Sequence, residues 1–456
     1  MTKRPNFIVF MTDDQGYADL SCMGAEDFQT PNIDRLAENG VRFEDWHANS
    51  PVCSPSRASL LTGRYPARAG VRSILAGHRT ASGLSASVPT LSSELKKAGY
   101  NTYMVGKWHL GVNDVCRPRR HGFDHWFGFL AGCVDYFSHI FYWGMNKPGP
   151  GINPTHDLWE DDEEVWQYNG EYLTDLLTGK AVAYLREAAQ KEEPFLLYVA
   201  YNAPHYPMHA PPEYMERFAH LPWERQVMAA MISAVDDGVG KILKTVEDAG
   251  LLEDTCVFFM SDNGPSRETR NWLNGCQDPY FGGSSGRFRG HKSSLFEGGH
   301  RVPGLMMWQG HIPGGRVLQE PCAAMDVMPT LLSFAGIDSK DDDFDGLDLS
   351  GYLLSDQALP ERLLFWEYGD QTAVRRGDWK LTLNGRDTEE LPVVDKVFLA
   401  NLAEDPGESH NRFAEESRLG GELMARALAW RTQIEAEWKV FQEQLPANGL
   451  TCLRKG

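Results

Sequence analysis

The 456-residue sequence has no apolar run approaching the about 18 residues needed to cross a bilayer, which excludes a transmembrane span. Its eight cysteines (Cys22, Cys53, Cys116, Cys133, Cys256, Cys276, Cys322 and Cys452) include no Cys-x-x-Cys pair, so zinc-ribbon and thioredoxin-type chemistry lacks support. An Asn-x-Ser/Thr glycosylation acceptor and an internal repeat are also missing. Positive charge is scarce: 44 Lys and Arg stand against 63 Asp and Glu, and the resulting formal charge of −19 repels polyanions and argues against a nucleic-acid or anionic-membrane partner. The N-terminus passes from Met1 straight into a short β-type run, Phe7-Ile-Val-Phe, without a longer apolar leader. Widely spaced cysteines and no visible leader lead to the expectation of a cytoplasmic, bacterial protein, although a secreted chain trimmed of its leader would read the same way.

What is present is an ordinary globular composition, 42% hydrophobic and 23% charged, which excludes collagen-like and wholly disordered chains. Four short apolar runs each end in a polar cluster. Phe7 to Met11 leads into Thr12-Asp13-Asp14, and Thr102 to Val105 into Gly106-Lys107-Trp108-His109. Phe195 to Ala200 leads into Pro204-His205, and Val257 to Met260 into Ser261-Asp262-Asn263-Gly264. Each reads as a buried strand with chemistry at its carboxyl end. Helical patterns at Ser92 to Ala98, Thr174 to Lys191 and Trp223 to Ala249 lie between them, so the order predicts an α/β fold with a largely parallel sheet. Ligands of such sheets bind beyond the strands' carboxyl ends.

The acidic stretch Asp338 to Asp348 reads as a solvated boundary after the helical Met325 to Ala335. Short runs at Leu363, Thr372 and Val397, followed by a helix from about Gly421 to Gln444, predict a small antiparallel sheet packed on a helix. The expected division is a catalytic unit over residues 1–348 and a smaller α+β unit over 349–456.

The most informative stretch is Cys53-Ser-Pro-Ser-Arg57-Ala-Ser-Leu-Leu-Thr-Gly-Arg64. Pro55 just inside a helix start places Cys53 at the helix amino terminus, where the dipole favours a thiolate or an oxyanion. Asp13, Asp14, Asp262 and Asn263 supply three carboxylates and an amide oxygen from two strand ends, a hard-oxygen set suited to Ca²⁺ or Mg²⁺ and not to zinc. Taken singly, each pair would be ordinary turn residues.

Cys-x-Pro-Ser-Arg followed by Leu-Thr-Gly-Arg resembles the signature of type I sulfatases, members of the alkaline-phosphatase-like superfamily, in which that cysteine is oxidised to formylglycine. Gly106 to Gly111, Ala203 to Pro207 and Gly290 to Pro303 resemble further segments of the same family. The resemblance implies an alkaline-phosphatase-like mixed sheet flanked by helices. It also implies catalytic roles for Cys53, Arg57, Lys107, His109, His205 and Lys292, and one calcium (or magnesium) held by Asp13, Asp14, Asp262, Asn263 and the oxidised residue 53. A formylglycine-generating or anaerobic sulfatase-maturing enzyme is the implied maturation partner.

Asp135-Tyr-Phe-Ser-His139, followed by Phe141, Tyr142 and Trp143, is similar to a stretch of N-acetylgalactosamine-4-sulfatases. Asp135, His139, Trp143, His300 and Arg301 are therefore the expected substrate-binding residues, and the long segment Ser266 to Arg289 is expected to border the pocket. The expected substrate is a sulfated small molecule or glycan chain end of the galactose or N-acetylgalactosamine type, with aryl sulfates as surrogates. Competing readings are an aryl or steroid sulfatase, a phosphonate monoester hydrolase, and, if Cys53 stays unconverted, a calcium-dependent carbohydrate-binding protein.

Overall fold

Alternation of fully buried apolar residues along the central runs commits both of their faces to packing, which is the pattern of a sheet covered on each side by helices. In the computed structural model, which describes residues 4–141, 155–267, 281–338 and 344–444, these runs form a ten-stranded mixed sheet. Its strands are β1 (Asn6–Thr12), β2 (Val41–Phe43), β3 (Asn101–Lys107), β4 (His125–Phe129), β5 (Trp159–Glu160), β6 (Glu163–Glu164), β7 (Phe195–Ala200), β8 (Thr255–Ser261), β9 (Gly304–Met307) and β10 (Arg316–Leu318). The spatial order is β10-β2-β9-β8-β1-β7-β3-β4-β5-β6, with the five strands β8-β1-β7-β3-β4 mutually parallel. Antiparallel pairing begins only outside that block, at β9 and β5.

Alternate residues of β1 enter different cores, as a pleated strand requires. Ile8 and Phe10 pack with helices at Leu173–Ala188 and Trp223–Asp248, whereas Phe7, Val9 and Met11 pack with α1 (Cys53–Thr62) and the helix Val327–Phe334. The register sets Thr12 beside Ser261 and Met11 beside Ala200, so the polar residues after β1, β7 and β8 emerge at one edge.

The acidic boundary stretch is described only in part, since residues 339–343 lie outside the described residues. Leu349, Tyr352 and Leu353 pack in the same core as α1. A four-stranded antiparallel sheet follows, β11 (Leu363–Tyr368), β12 (Gln371–Arg376), β13 (Trp379–Leu383) and β14 (Val397–Asn401), in that order, with the helix Ser417–Gln444 behind it. The run read from Thr372 to Leu383 is thus two strands, reversed at Gly377, whose φ of 55° lies in the left-handed region that glycine adopts without strain.

Candidate active site

Cys53 is the first residue of α1, preceded by the extended Val52, and all ten residues of this helix are buried. Burial pushes the Cys53 thiol up, and the nearby Lys107 and Lys292 only partly offset it, so the unmodified side chain is a neutral thiol. Ser54 and Ser56 fasten the helix to its surroundings: Leu75 N–H donates to Ser54 Oγ (3.2 Å), and Ser56 Oγ donates to Ser50 O (2.8 Å).

Asp13 and Asp14 leave β1 beside Asp262 and Asn263, which leave β8. Arg57 Nη2 donates to Asp262 Oδ2 at 2.6 Å and lies 3.7 Å from Asp13 Oδ2, while Lys107 Nζ donates to Asp13 Oδ2 at 2.5 Å. Asp14 N–H donates to Asp262 Oδ1 (3.2 Å), and Asn263 Nδ2 donates to Asp14 Oδ1 (2.7 Å). Burial and the neighbouring Asp262 drive the Asp13 carboxyl well above its usual range; Asp262, despite equal burial, is held below its own by Arg57 and Lys107. Two acceptors in this group, Asp13 Oδ1 and Asn263 Oδ1, are buried without a hydrogen-bond partner. Unmet acceptors among clustered carboxylates are what a hard cation satisfies, so the residues present fit Ca²⁺ or Mg²⁺. Asp13, Cys53 and Asp262 also bring their ligand atoms within 4.8 Å of one another.

Lys292 Nζ lies 3.0 Å from Asp14 Oδ2 and 3.3 Å from His205 Nε2, and His205 Nδ1 lies 2.7 Å from Tyr206 O. Burial, then Lys292 and Lys107, hold the His205 pKa well below its ordinary value. His109 is lowered in the same way, by burial and then by Lys107. A neutral His109 must donate through Nε2, which lies 3.1 Å from Leu75 O, so Nδ1 is left as a buried acceptor without a partner. Asp14, His109 and Ser293 have φ of 62°, 50° and 75°, a left-handed conformation costing a non-glycine residue on the order of 1 kcal/mol or more. Strained backbone is thus gathered at the carboxylates, at the histidine and beside Lys292.

These groups face a cavity of about 180 Å³ lined by Cys53, His109, His205, Lys292 and an apolar wall. The wall comes from Ile74 to His78, from Gly132 and Cys133, and from Phe141 and Tyr206. Residues 74–78 were missed in the sequence because they carry no motif; only their proximity to α1 pointed to them. Gly132 is required by close approach: a Cβ there would lie 2.7 Å from His109 Cε1.

The structure brings together the catalytic and metal residues read from the sequence, whereas the described members of the expected substrate-binding set, Asp135, His139, His300 and Arg301, do not line the cavity. His300 is fully buried, with His47 Nδ1 3.0 Å from its own Nδ1 and Lys380 Nζ 3.1 Å from its Nε2. Arg301 is paired with Glu297 (3.1 Å) and stacks over Phe288. His300 ends the short helical turn Glu297–His300 and Arg301 follows it in extended conformation, and neither lines the cavity. Asp135 shapes its own turn, its Oδ1 accepting from Phe137 N–H (3.0 Å) and Ser138 N–H (2.7 Å). His139 is buried, with Nε2 3.1 Å from Glu171 O. Among the described residues of that segment only Phe141 reaches the cavity; Tyr142 and Trp143, and most of the segment after Ser266, lie outside the described residues.

A parallel-sheet edge presenting an oxygen cluster, two lysines, two histidines and a buried helix-start cysteine defines a class, and comparison with known proteins agrees with it. The sulfatase family model matches residues 5–337, and the chain belongs to that family, the sulfuric ester hydrolases. It is 35% identical to the N-acetylgalactosamine-6-sulfatase of Mus musculus, over 83% of this chain and 72% of that protein. With the arylsulfatase G of Rattus norvegicus it shares 33% identity over 89% of this chain and 82% of the relative. Among solved structures, Ps i-CgsB in complex with κ-ι-κ-neocarrahexaose superposes with a TM-score of 0.82 at 29% identity, covering 96% of this chain and 97% of that one. Among the described residues no helix is long and apolar enough to cross a membrane.

Proposed function

We propose that this sulfatase is an exo-acting carbohydrate sulfatase that removes sulfate from a galactose or N-acetylgalactosamine-type residue at a chain end, with aryl sulfates as surrogates. The observation that carries this reading is the gathering of Lys292, His109 and His205 around Cys53 at a small cavity, with Lys107 buried against Asp13, within a chain whose net charge is −19. Lys107, Lys292 and Arg57 offset the three carboxylates, and a bound cation would make the site locally positive inside a repelling surface, which favours one sulfate monoester over a heavily sulfated polymer. A cavity of about 180 Å³ is also small beside the about 300–1,000 Å³ of pockets for drug-sized ligands. The relatives named as N-acetylgalactosamine-6-sulfatase and the neocarrahexaose complex support a sulfated sugar.

Residue 53, once matured to formylglycine, would in its hydrated form supply a hydroxyl nucleophile toward sulfur, and a divalent cation, which Asp13, Asp14, Asp262 and Asn263 would hold, would supply positive charge for the sulfate group. Lys107 and Lys292 stabilise the negative charge on those oxygens, fixed in place by Asp13 and Asp14 so that little reorganisation is needed. Arg57 neutralises Asp262 and orients the carboxylate cluster. The unpartnered Nδ1 of His109 would take the proton of the second hydroxyl at position 53 as the bond between that residue's carbon and the sulfate oxygen breaks, which releases sulfate and restores the aldehyde. Nε2 of His205 gives a proton to the departing alcohol; the bound ester's negative charge beside Lys292 counters the field that keeps this imidazole neutral.

Intact-mass spectrometry tests the modification, since conversion of Cys53 to formylglycine lowers the mass by about 18 Da. Activity of the converted enzyme on regiodefined galactose and N-acetylgalactosamine sulfates, alongside p-nitrophenyl sulfate and phenyl phosphonate, tests the reaction. Preference for the phosphonate, or failure on every sulfated sugar with turnover of aryl sulfates, would replace this reading. Wild-type activity in Cys53→Ser would refute the assigned nucleophile.

A further inference from the structure

The loop carrying Lys292 belongs to the large sheet by sequence, and its backbone is held both from that side, where Lys292 N–H donates to Pro265 O (3.0 Å), and from the small sheet. Ser293, with φ of 75°, is the strained residue of this loop. Its N–H donates to Pro51 O at 2.9 Å, two residues before Cys53, while its C=O accepts from Gln371 Nε2 at 2.9 Å. The same Gln371 side chain receives, at Oε1, the N–H of Leu295 (3.3 Å) and the N–H of Arg386 (3.2 Å). Gln371 is 1% exposed and opens β12, so its rotamer is held by packing. Around it, His291 N–H donates to Asp387 O (3.1 Å) and Ser294 Oγ to Arg386 O (2.6 Å). Further along, Glu297 N–H donates to the Glu408 carboxylate (2.6 Å) and Glu297 pairs with Lys380 (2.9 Å).

A left-handed serine persists only where its surroundings over-determine it. Here one residue is held from two sides, its N–H by the main chain leading into α1 and its C=O by a side chain of the small sheet. Of the two, only the second is a side chain whose loss leaves the main chain intact. Without the Gln371 amide, Ser293 has reason to relax to negative φ, and that rotation about its N–Cα bond swings the preceding Lys292 away from Asp14 and His205.

We propose that Gln371 is a positioning residue for anion binding: by holding the Ser293 carbonyl and the Leu295 amide it fixes Lys292 Nζ where the sulfate group is bound. The proposal rests on the reading of Lys292 as a sulfate-binding group. It makes the small sheet a working part of the site although no residue of that sheet lines the cavity.

A double-mutant cycle tests it on the full-length converted enzyme. Inorganic sulfate affinity is measured by calorimetry, kcat/KM with p-nitrophenyl sulfate, and folding by thermal melting. In Gln371→Met, which keeps the side-chain length and loses its hydrogen bonds, sulfate affinity and kcat/KM should each fall about tenfold. In a Lys292→Ala background the same substitution should cost less than about twofold, because the group it positions is gone. A purely structural role would lower both backgrounds equally, and that outcome, or values for Gln371→Met within about twofold of wild type, overturns the proposal. Should Gln371→Met fail to fold, Gln371→Asn keeps an amide but is too short to reach Ser293, and the same outcomes apply. If Lys292→Ala itself leaves sulfate affinity and turnover unchanged, the assignment of Lys292 falls and the proposal with it. If Lys292→Ala is impaired and Gln371→Met is not, the positioning role alone is refuted.

Discussion

Lys292 Nζ stands 3.3 Å from His205 Nε2, on the acceptor side of an imidazole whose other nitrogen lies 2.7 Å from Tyr206 O. Burial first, and then this lysine, hold the imidazole pKa well below its ordinary value, and under the proposed mechanism a bound anion would offset the lysine's field. His205→Gln should therefore lower turnover of sugar sulfates, whose alkoxide needs a proton, by about 10²–10⁴-fold. p-Nitrophenyl sulfate, with a leaving group that departs unprotonated, should lose less than about tenfold. Equal losses on both substrates would remove His205 from the leaving-group side.

Gly132 stands against His109 so closely that a methyl group would lie 2.7 Å from Cε1 and 2.8 Å from Nε2. Gly132→Ala should displace the ring from Leu75 O and lower kcat by about tenfold or more, with a stability cost of about 1–3 kcal/mol typical of overpacking. Unchanged kcat, measured with p-nitrophenyl sulfate, would show that His109 tolerates reorientation.

Prolonged chelation should abolish activity and lower the melting temperature, because a cation that binds only the folded state stabilises it by mass action. Adding back Ca²⁺ and Mg²⁺ separately, and reading the melting temperature as well as activity, identifies which ion the oxygen cluster prefers. Asn263→Ala, which removes one of the two unpartnered acceptors, should weaken the recovery. A melting temperature indifferent to chelator and to both ions would contradict a metal at this cluster.

Glu408 is fully buried between Lys380 and the Glu297 amide, and burial pushes its carboxyl up to about 7. The folded state then holds this proton more tightly than the unfolded state does. The associated stability is present at low pH and is lost as pH rises from about 4.5 through about 7. Glu408→Gln should flatten that part of the stability–pH curve, as read from urea midpoints at several pH values. A slope identical to wild type would mean that Glu408 stays ionised throughout.

The chemistry was legible where residues lie close along the chain and emerge from strand ends. Asp13-Asp14, Gly106 to His109 and Asp262-Asn263 each follow an apolar run, and the parallel register of the sheet necessarily collects them at one edge. Cys53 to Arg64 was legible because helix start, proline and arginine act within one local element. Substrate contacts were not, because proximity in sequence does not say which way a side chain turns. His300 and Arg301 follow Lys292 within nine residues, yet one short helical turn directs them into a buried charge network with Glu297, Lys380 and Asp45. For Asp135 a local signal existed: an aspartate two and three residues before Phe137 and Ser138 commonly accepts their amides, and does so here. The small sheet was foreseen as an appendage, but its hold on the Lys292 loop depends on pairings such as Gln371 with Ser293, separated by 78 positions and marked by no motif.

The cavity is built from two kinds of chain. Its polar side is carried by a helix start at Cys53, by strand ends leading to His109 and His205, and by the braced loop of Lys292, whereas the wall of residues 74–78, 132–133 and 141 belongs to connecting segments. Connections tolerate exchange far better than a central sheet does. The recognition of sulfate and the recognition of what carries it are therefore separable modules, and grafting the 74–78 segment from another sulfatase is a route to new selectivity that leaves the reaction machinery in place.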